Sequence, residues 1–172
     1  MADRPSILIV EPNVHFAHVL TAGLEEAGWS VQHTRSGRRA LSMCAIAPPD
    51  LVVTEVSLDD LDGFELLESI HALPSAPPAI ICTHMPGAST WDQHTLASLG
   101  VKACIVRPVR LEVITRAIGE AMENDLAERS GGVRVEATSD PRTPGARQSG
   151  DSLPIEVDVE EITSEETEAR GG

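Results

Sequence analysis

Four polar groupings in this chain each follow directly on a short apolar run, and they are of the kinds that do chemistry. Glu11, with Pro12 and Asn13 behind it, ends Ile7-Leu8-Ile9-Val10, and Thr54-Glu55 ends Leu51-Val52-Val53. Thr83-His84 ends Ala79-Ile80-Ile81-Cys82, and Arg107-Pro108 ends Ala103-Cys104-Ile105-Val106. Brought to one pole, two glutamates, a hydroxyl and a guanidinium make a charged pocket; left on unrelated loops they make only a solvated rim. Other groupings are weaker. His15 and His18, three apart on one helix, lack the further ligands a metal needs and read as exposed polar residues. His84 reads first as a loop histidine beside the pocket. Asp59, Asp60 and Asp62 turn the chain and cap the following helix, with cation ligation as the alternative. Cys44, Cys82 and Cys104 sit apart in apolar stretches and read as reduced core thiols. There is no nucleophile triad, P-loop or dinucleotide glycine fingerprint.

The elements that must position these groups are legible up to residue 129. Ile7–Val10, Leu51–Thr54, Ala79–Thr83 and Ala103–Val106 are continuous apolar runs of the length expected for buried parallel strands, and Ser30–Thr34 is a short further strand. Helical patterns lie between them. The first presents Phe16, Val19, Leu20, Leu24 and Ala27 and ends at Gly28; the second opens at Ser36, carries Leu41, Cys44 and Ala45, and stops before Pro48-Pro49. The third spans Gly63 to His71, with Phe64, Leu67 and Ile70 on its apolar face. A fourth is predicted from Ser89 to Leu99, with Trp91 near its start, ending at Gly100. The last runs from Arg110 to Arg129 with Ile114, Ala117, Ile118, Ala121 and Met122 on its buried stripe. Five βα units of this kind predict an α/β doubly wound parallel sheet with helices on both faces. In such a sheet ligands sit at the carboxyl ends of the strands, where the four groupings lie.

Composition bounds the function. Acidic residues outnumber basic ones 27 to 13, for a formal net charge of −14, and aromatics make up 2% with no Tyr. That field repels nucleic acid, and stacking platforms for bases are scarce. No apolar run approaches the roughly 20 residues of a spanning helix, and no export signal opens the chain, so a cytoplasmic protein is expected. From Ser130 the helical and strand patterns stop. Between Asp151 and Glu168 there are eight acids and no base. A division follows into a domain at 1–129 and a disordered acidic tail at 130–172. Leu153, Ile155, Val157, Val159 and Ile162 interleave with the acids, so the tail reads either as a solvated segment or as a docking strand that orders on a partner.

From about Ser6 to Leu126 the chain resembles the receiver domains of bacterial two-component response regulators. The likeness is carried by Pro49-Asp50-Leu51-Val52-Val53-Thr54-Glu55 with Asp62-Gly63-Phe64-Glu65-Leu66-Leu67, by Ile80-Ile81-Cys82-Thr83, and by Gly100-Val101-Lys102-Ala103-Cys104-Ile105-Val106-Arg107-Pro108. The resemblance implies a flavodoxin-like, five-stranded sheet of order 2-1-3-4-5. It also implies roles. Glu55 stands at the family's phosphoacceptor aspartate, Glu11-Pro12 at its acidic pair, Thr83 at its switch hydroxyl, Cys104 at its switch aromatic and Arg107 at its lysine. Glu is one methylene longer than Asp, proline offers no side-chain oxygen to Mg²⁺, and a guanidinium is a planar fork where the family has an ammonium. The likeness therefore implies weak or absent Mg²⁺ binding, no catalysis and no cofactor. Glu55 and Arg107 are placed to form a bidentate pair, which either freezes the switch or simply holds the resting shape. Cys104 is too small to swing as an aromatic does.

The resulting expectation is a degenerate receiver in two-component or phosphorelay signalling. It would act on protein partners through the face made by the fourth helix, fifth strand and fifth helix, without phosphorylation. Two alternatives stand: a regulator that accepts phosphate on an unusual residue, with Asp59, Asp60 and Asp62 as the candidate substitute acceptors, and a scaffold docking through its acidic tail.

Overall fold

Each buried apolar run forms a strand, and all strands are parallel. The computed structural model describes residues 4–129 and 155–157. The strands are β1 (Ser6–Val10), β2 (Ser30–Thr34), β3 (Leu51–Thr54), β4 (Ala79–Thr83), β5 (Val101–Val106) and β6 (Ile155–Val157). The helices are α1 (Val14–Glu26), α2 (Gly37–Ile46), α3 (Gly63–His71), α4 (Gln93–Ser98) and α5 (Leu111–Arg129), with a 3₁₀ turn at Ala88–Thr90. The sheet order is β2-β1-β3-β4-β5-β6, so the predicted 2-1-3-4-5 arrangement is present with one strand added.

Alternation along the strands divides the core into two layers. Leu8, Val10, Val52, Ile81 and Cys104 pack with Ala40 and Cys44 of α2, Leu66, Leu67 and Ile70 of α3, and Leu96 of α4. Ile7, Ile9, Leu51, Val53, Ile80, Cys82, Ala103 and Ile105 pack with Leu20 and Leu24 of α1 and Ile114, Ala117, Ile118 and Ala121 of α5. All three cysteines are buried thiols, and burial pushes Cys44 up to about 11 and Cys82 up to about 12.

Side-chain caps set the helix starts. Asn13 accepts from the Phe16 amide (3.0 Å), Ser36 from Arg39 (3.0 Å) and Asp62 from Phe64 (2.8 Å). Asp60 reaches across to α2, accepting from the Ser36 hydroxyl (2.7 Å) and the Gly37 amide (2.8 Å). The acidic loop thus caps two helices, its own and a neighbour.

The structure corrects three predicted details. The helix predicted from Ser89 to Leu99 is broken: Trp91 and Asp92 are extended, and Asp92 starts α4 afresh by accepting from the amide (2.8 Å) and hydroxyl (2.6 Å) of Thr95. Trp91 precedes α4 and packs edge-on against Phe64, ring centroids 5.0 Å apart. On α1, Val19 and Ala27 are exposed and Ala17 is buried, because the stripe centred on Leu20 and Leu24 turns away from them. The third correction is β6. Composition placed residues 155–157 in a disordered tail, yet they form a strand along β5, whose outer edge offers unpaired backbone groups. The rest of the expected tail, 130–154 and 158–172, lies outside the described residues.

Candidate functional site

The carboxyl ends of β1, β3, β4 and β5 meet at one pole, around a cavity of about 420 Å³ lined by Glu11, Pro12, Asn13, Glu55, Ser57, His84, Arg107 and Pro108. Glu55 lies at its base, 1% exposed. Its backbone N–H continues the ladder by donating a hydrogen bond to Val10 O (2.9 Å). Behind it, Gly63 opens α3 so close that an added Cβ would lie 2.5 Å from Val56 Cα and 2.9 Å from Glu55 O. Only glycine lets α3 seat there.

Donors from the ends of β3, β4 and β5 converge on Glu55. Its Oε1 accepts from the Thr83 hydroxyl and the Val56 amide (2.7 Å). Its Oε2 accepts from Arg107 Nη2 and, when that nitrogen carries a proton, from His84 Nδ1 (2.7 Å). Thr83 Oγ1 in turn accepts from the Met85 amide (3.1 Å), so the start of the β4–α4 loop hangs on the same hydroxyl.

Arg107 is the hub. The same Nη2 pairs with Glu11 Oε2 (3.1 Å), while Glu11 Oε1 accepts from the Asn13 amide (2.8 Å). The Arg107 Cζ lies over the Phe16 ring, 4.1 Å from the centroid, a cation–π contact. The predicted fork-to-carboxylate pair is therefore corrected: one nitrogen bridges two carboxylates, and buried Nε has no hydrogen-bond partner among the described residues. Glu55 presents its two oxygens to different elements, Oε1 to β4 and Oε2 to β5, so both cannot face one guanidinium.

The two carboxylates titrate in opposite directions. Burial would raise Glu55, but hydrogen bonds from Thr83, His84, the Val56 amide and Arg107 outweigh it and hold the carboxyl below its usual range. For Glu11 burial wins over the Asn13 amide and Arg107, Glu55's charge adds to it, and the carboxyl is raised.

The site does not fit a hard divalent cation. The inner oxygens of Glu11 and Glu55 both face a guanidinium nitrogen, their other oxygens accept backbone or hydroxyl donors, and Pro12 contributes no oxygen. Among the described residues no cluster of three or more His, Cys, Asp and Glu side chains could hold a metal.

Of the predicted site residues, Glu11, Glu55, Thr83 and Arg107 come together. Cys104 does not: in register with Ile81, it lies deeper in the sheet under α3 and α4. Asp59, Asp60 and Asp62 do not line the cavity either. Sequence reasoning underrated His84, whose place straight after the Thr83 strand end was the signal. It missed Phe16, which was read only as a core residue of α1.

The comparisons agree with this architecture. The response regulator receiver domain profile matches residues 7–119. The transcriptional regulatory protein GlrR of Escherichia coli K12 is 27% identical over 124 residues, 72% of this chain and 28% of that protein. The regulatory protein VanRc of Enterococcus gallinarum is 31% identical over 111 residues, 64% of this chain and 47% of that protein. The chain thus spans under half the length of these relatives. Among solved structures, a CheY-like receiver domain from Methanospirillum hungatei superposes with a TM-score of 0.67 at 23% identity, covering 73% of this chain and 99% of that one. Fold, strand-end site and family profile coincide, and the chain belongs to the response regulator receiver domains of two-component signalling.

Proposed function

We propose that this receiver signals without accepting phosphate, by presenting a surface to a protein partner. The observation that carries the reading is the closed circuit around Glu55. Its carboxylate engages the Thr83 hydroxyl on one oxygen and the Arg107 guanidinium on the other. On this reading Glu55 replaces the family's acceptor aspartate and Arg107 its lysine, and the circuit supplies Thr83 with a permanent anion. An incoming phosphoryl group would meet two carboxylates with no metal to offset their charge. The protein is then a signalling module and not an enzyme, works in the cytoplasm, and offers the α4–β5–α5 face to its partner. Its acidity argues against contacting nucleic acid itself. Among the described residues no helix is long and apolar enough to cross a membrane.

Mass spectrometry after incubation with acetyl phosphate and Mg²⁺ tests the proposal. No adduct is expected. A phosphoryl adduct on Glu55, Asp59, Asp60 or Asp62 supports the rival reading, a regulator with an unusual acceptor, and overturns this one.

A further inference from the structure

The β5 edge lies in the middle of the face offered to a partner, and the chain's own C-terminal segment sits on it. β6 runs parallel to β5 with Ala103 opposite Ile155, Cys104 opposite Glu156 and Ile105 opposite Val157. Without β6, β5 would end the sheet, leaving alternate N–H and C=O groups unpaired, a template for any extended chain. Ala103 and Ile105 belong to the layer packed with α1 and α5 and face the apolar positions 155 and 157, whereas Cys104 of the opposite layer faces the acid at 156.

Connectivity permits the pairing. Lys102 Nζ bonds Glu128 Oε2 (3.1 Å), so the end of α5 lies beside the start of β5. Twenty-five residues separate Arg129 from Ile155. They can span at most about 85 Å at ~3.4 Å each, far more than a return to the neighbouring strand end requires.

The geometry points to the β5 edge as a strand-addition site for an extended segment in which apolar residues alternate with acids. Residues 155–157 of the same chain are its resident occupant. A partner reaching the centre of the α4–β5–α5 face must first displace them. This inference concerns the partner surface and does not depend on whether Glu55 accepts phosphate.

The 172-residue chain and its Ile155→Pro/Val157→Pro variant test it, because proline removes two of the three β6 amides without touching residues 4–129. Hydrogen exchange read by NMR separates the β5 amides facing β4 from those facing outward. In the parent both sets exchange slowly. In the variant the outward set speeds up by about ten-fold or more while the β4-facing set is unchanged. A peptide of residues 151–162, added to the variant at about millimolar concentration, restores slow exchange to the outward set. Equal exchange in the two proteins overturns the proposal, as does a peptide that restores nothing. Outward-set protection that grows with protein concentration overturns it too, since the occupant would then come from a second copy. None of these readouts involves phosphorylation, so this proposal and the preceding one fail separately.

Discussion

Glu55 and Arg107 leave a signature in how stability responds to acid. Glu55 titrates lower folded than unfolded, so its contribution is complete above the unfolded value near ~4.3 and is lost as pH falls through the folded value. Glu11 is raised, so its contribution is complete below the unfolded value and is lost as pH rises through the folded one. The two oppose each other in the pH window around the unfolded value they share. Urea titrations across that window are expected to show a shallower acid loss for Glu55→Gln than for the parent, and a steeper one for Glu11→Gln. Three parallel slopes would contradict the assignment. At neutral pH Arg107→Ala strips the cation from both buried carboxylates and is expected to cost about 3 kcal/mol. The same residues set how phosphate chemistry is rebuilt. Glu55→Asp alone supplies an aspartate but leaves Arg107 in the space a phosphoryl group must enter, and no metal, so no labelling by acetyl phosphate is expected. Adding Pro12→Asp should bring Mg²⁺ binding, measurable by calorimetry, and adding Arg107→Lys should bring a detectable adduct by mass spectrometry. Ready labelling of Glu55→Asp alone would show the pocket intact and only its acceptor altered.

Among the elements, α3 is the one whose seating decides where Glu55 lies. Gly63→Ala puts a methyl group against the Val56 backbone, which has no rotamer to escape into, and the α3 start or the Glu55–Val56 segment must move. A loss of about 2 kcal/mol is expected in urea denaturation. Gly119 on α5 is the control, since nothing lies within 4 Å of its added Cβ. Gly119→Ala should gain about 0.5–1 kcal/mol from helix propensity alone. Equal effects at the two glycines would mean that close approach at Gly63 is not limiting. Elements of this sort were largely legible in the sequence, because α3, β2, β3 and β4 each begin and end at residues with unambiguous local chemistry. Asp62 caps, Gly63 packs, and β-branched runs fill the sheet. The break at Trp91-Asp92 was not legible, because the helical period of the apolar residues continues through it. The Asp92 cap and the Trp91–Phe64 contact override that period, and the second of these joins residues 27 apart in sequence.

At the scale of the molecule, two long-range facts escaped the sequence for one reason. That Arg107 would bridge two carboxylates over Phe16, and that Ile155–Val157 would return to β5, both depend on where distant segments lie in space. Strand-end reasoning found the pole of the sheet because topology alone fixes it. Composition averaged over residues 130–172 hid three residues that pair with an open sheet edge. The same composition makes a prediction that only the whole chain can test. A formal charge of −14 is self-repulsive, and that repulsion extends over a Debye length of roughly 30 Å at 0.01 M salt but only about 8 Å at 0.15 M. Surface attractions such as Lys102–Glu128 are screened too, but an exposed pair contributes at most about 1 kcal/mol. The Arg107 network is 13% exposed at the arginine and 1% at Glu55, and is screened less. Relief of repulsion should therefore win, and the thermal midpoint should rise as NaCl is taken from about 0.01 to 0.15 M. Replacing Glu165, Glu166 and Glu168 by Gln removes three of the acids and should flatten that rise. A midpoint that falls with salt would mean that exposed ion pairs, and not the excess of acid, dominate the electrostatics of the fold.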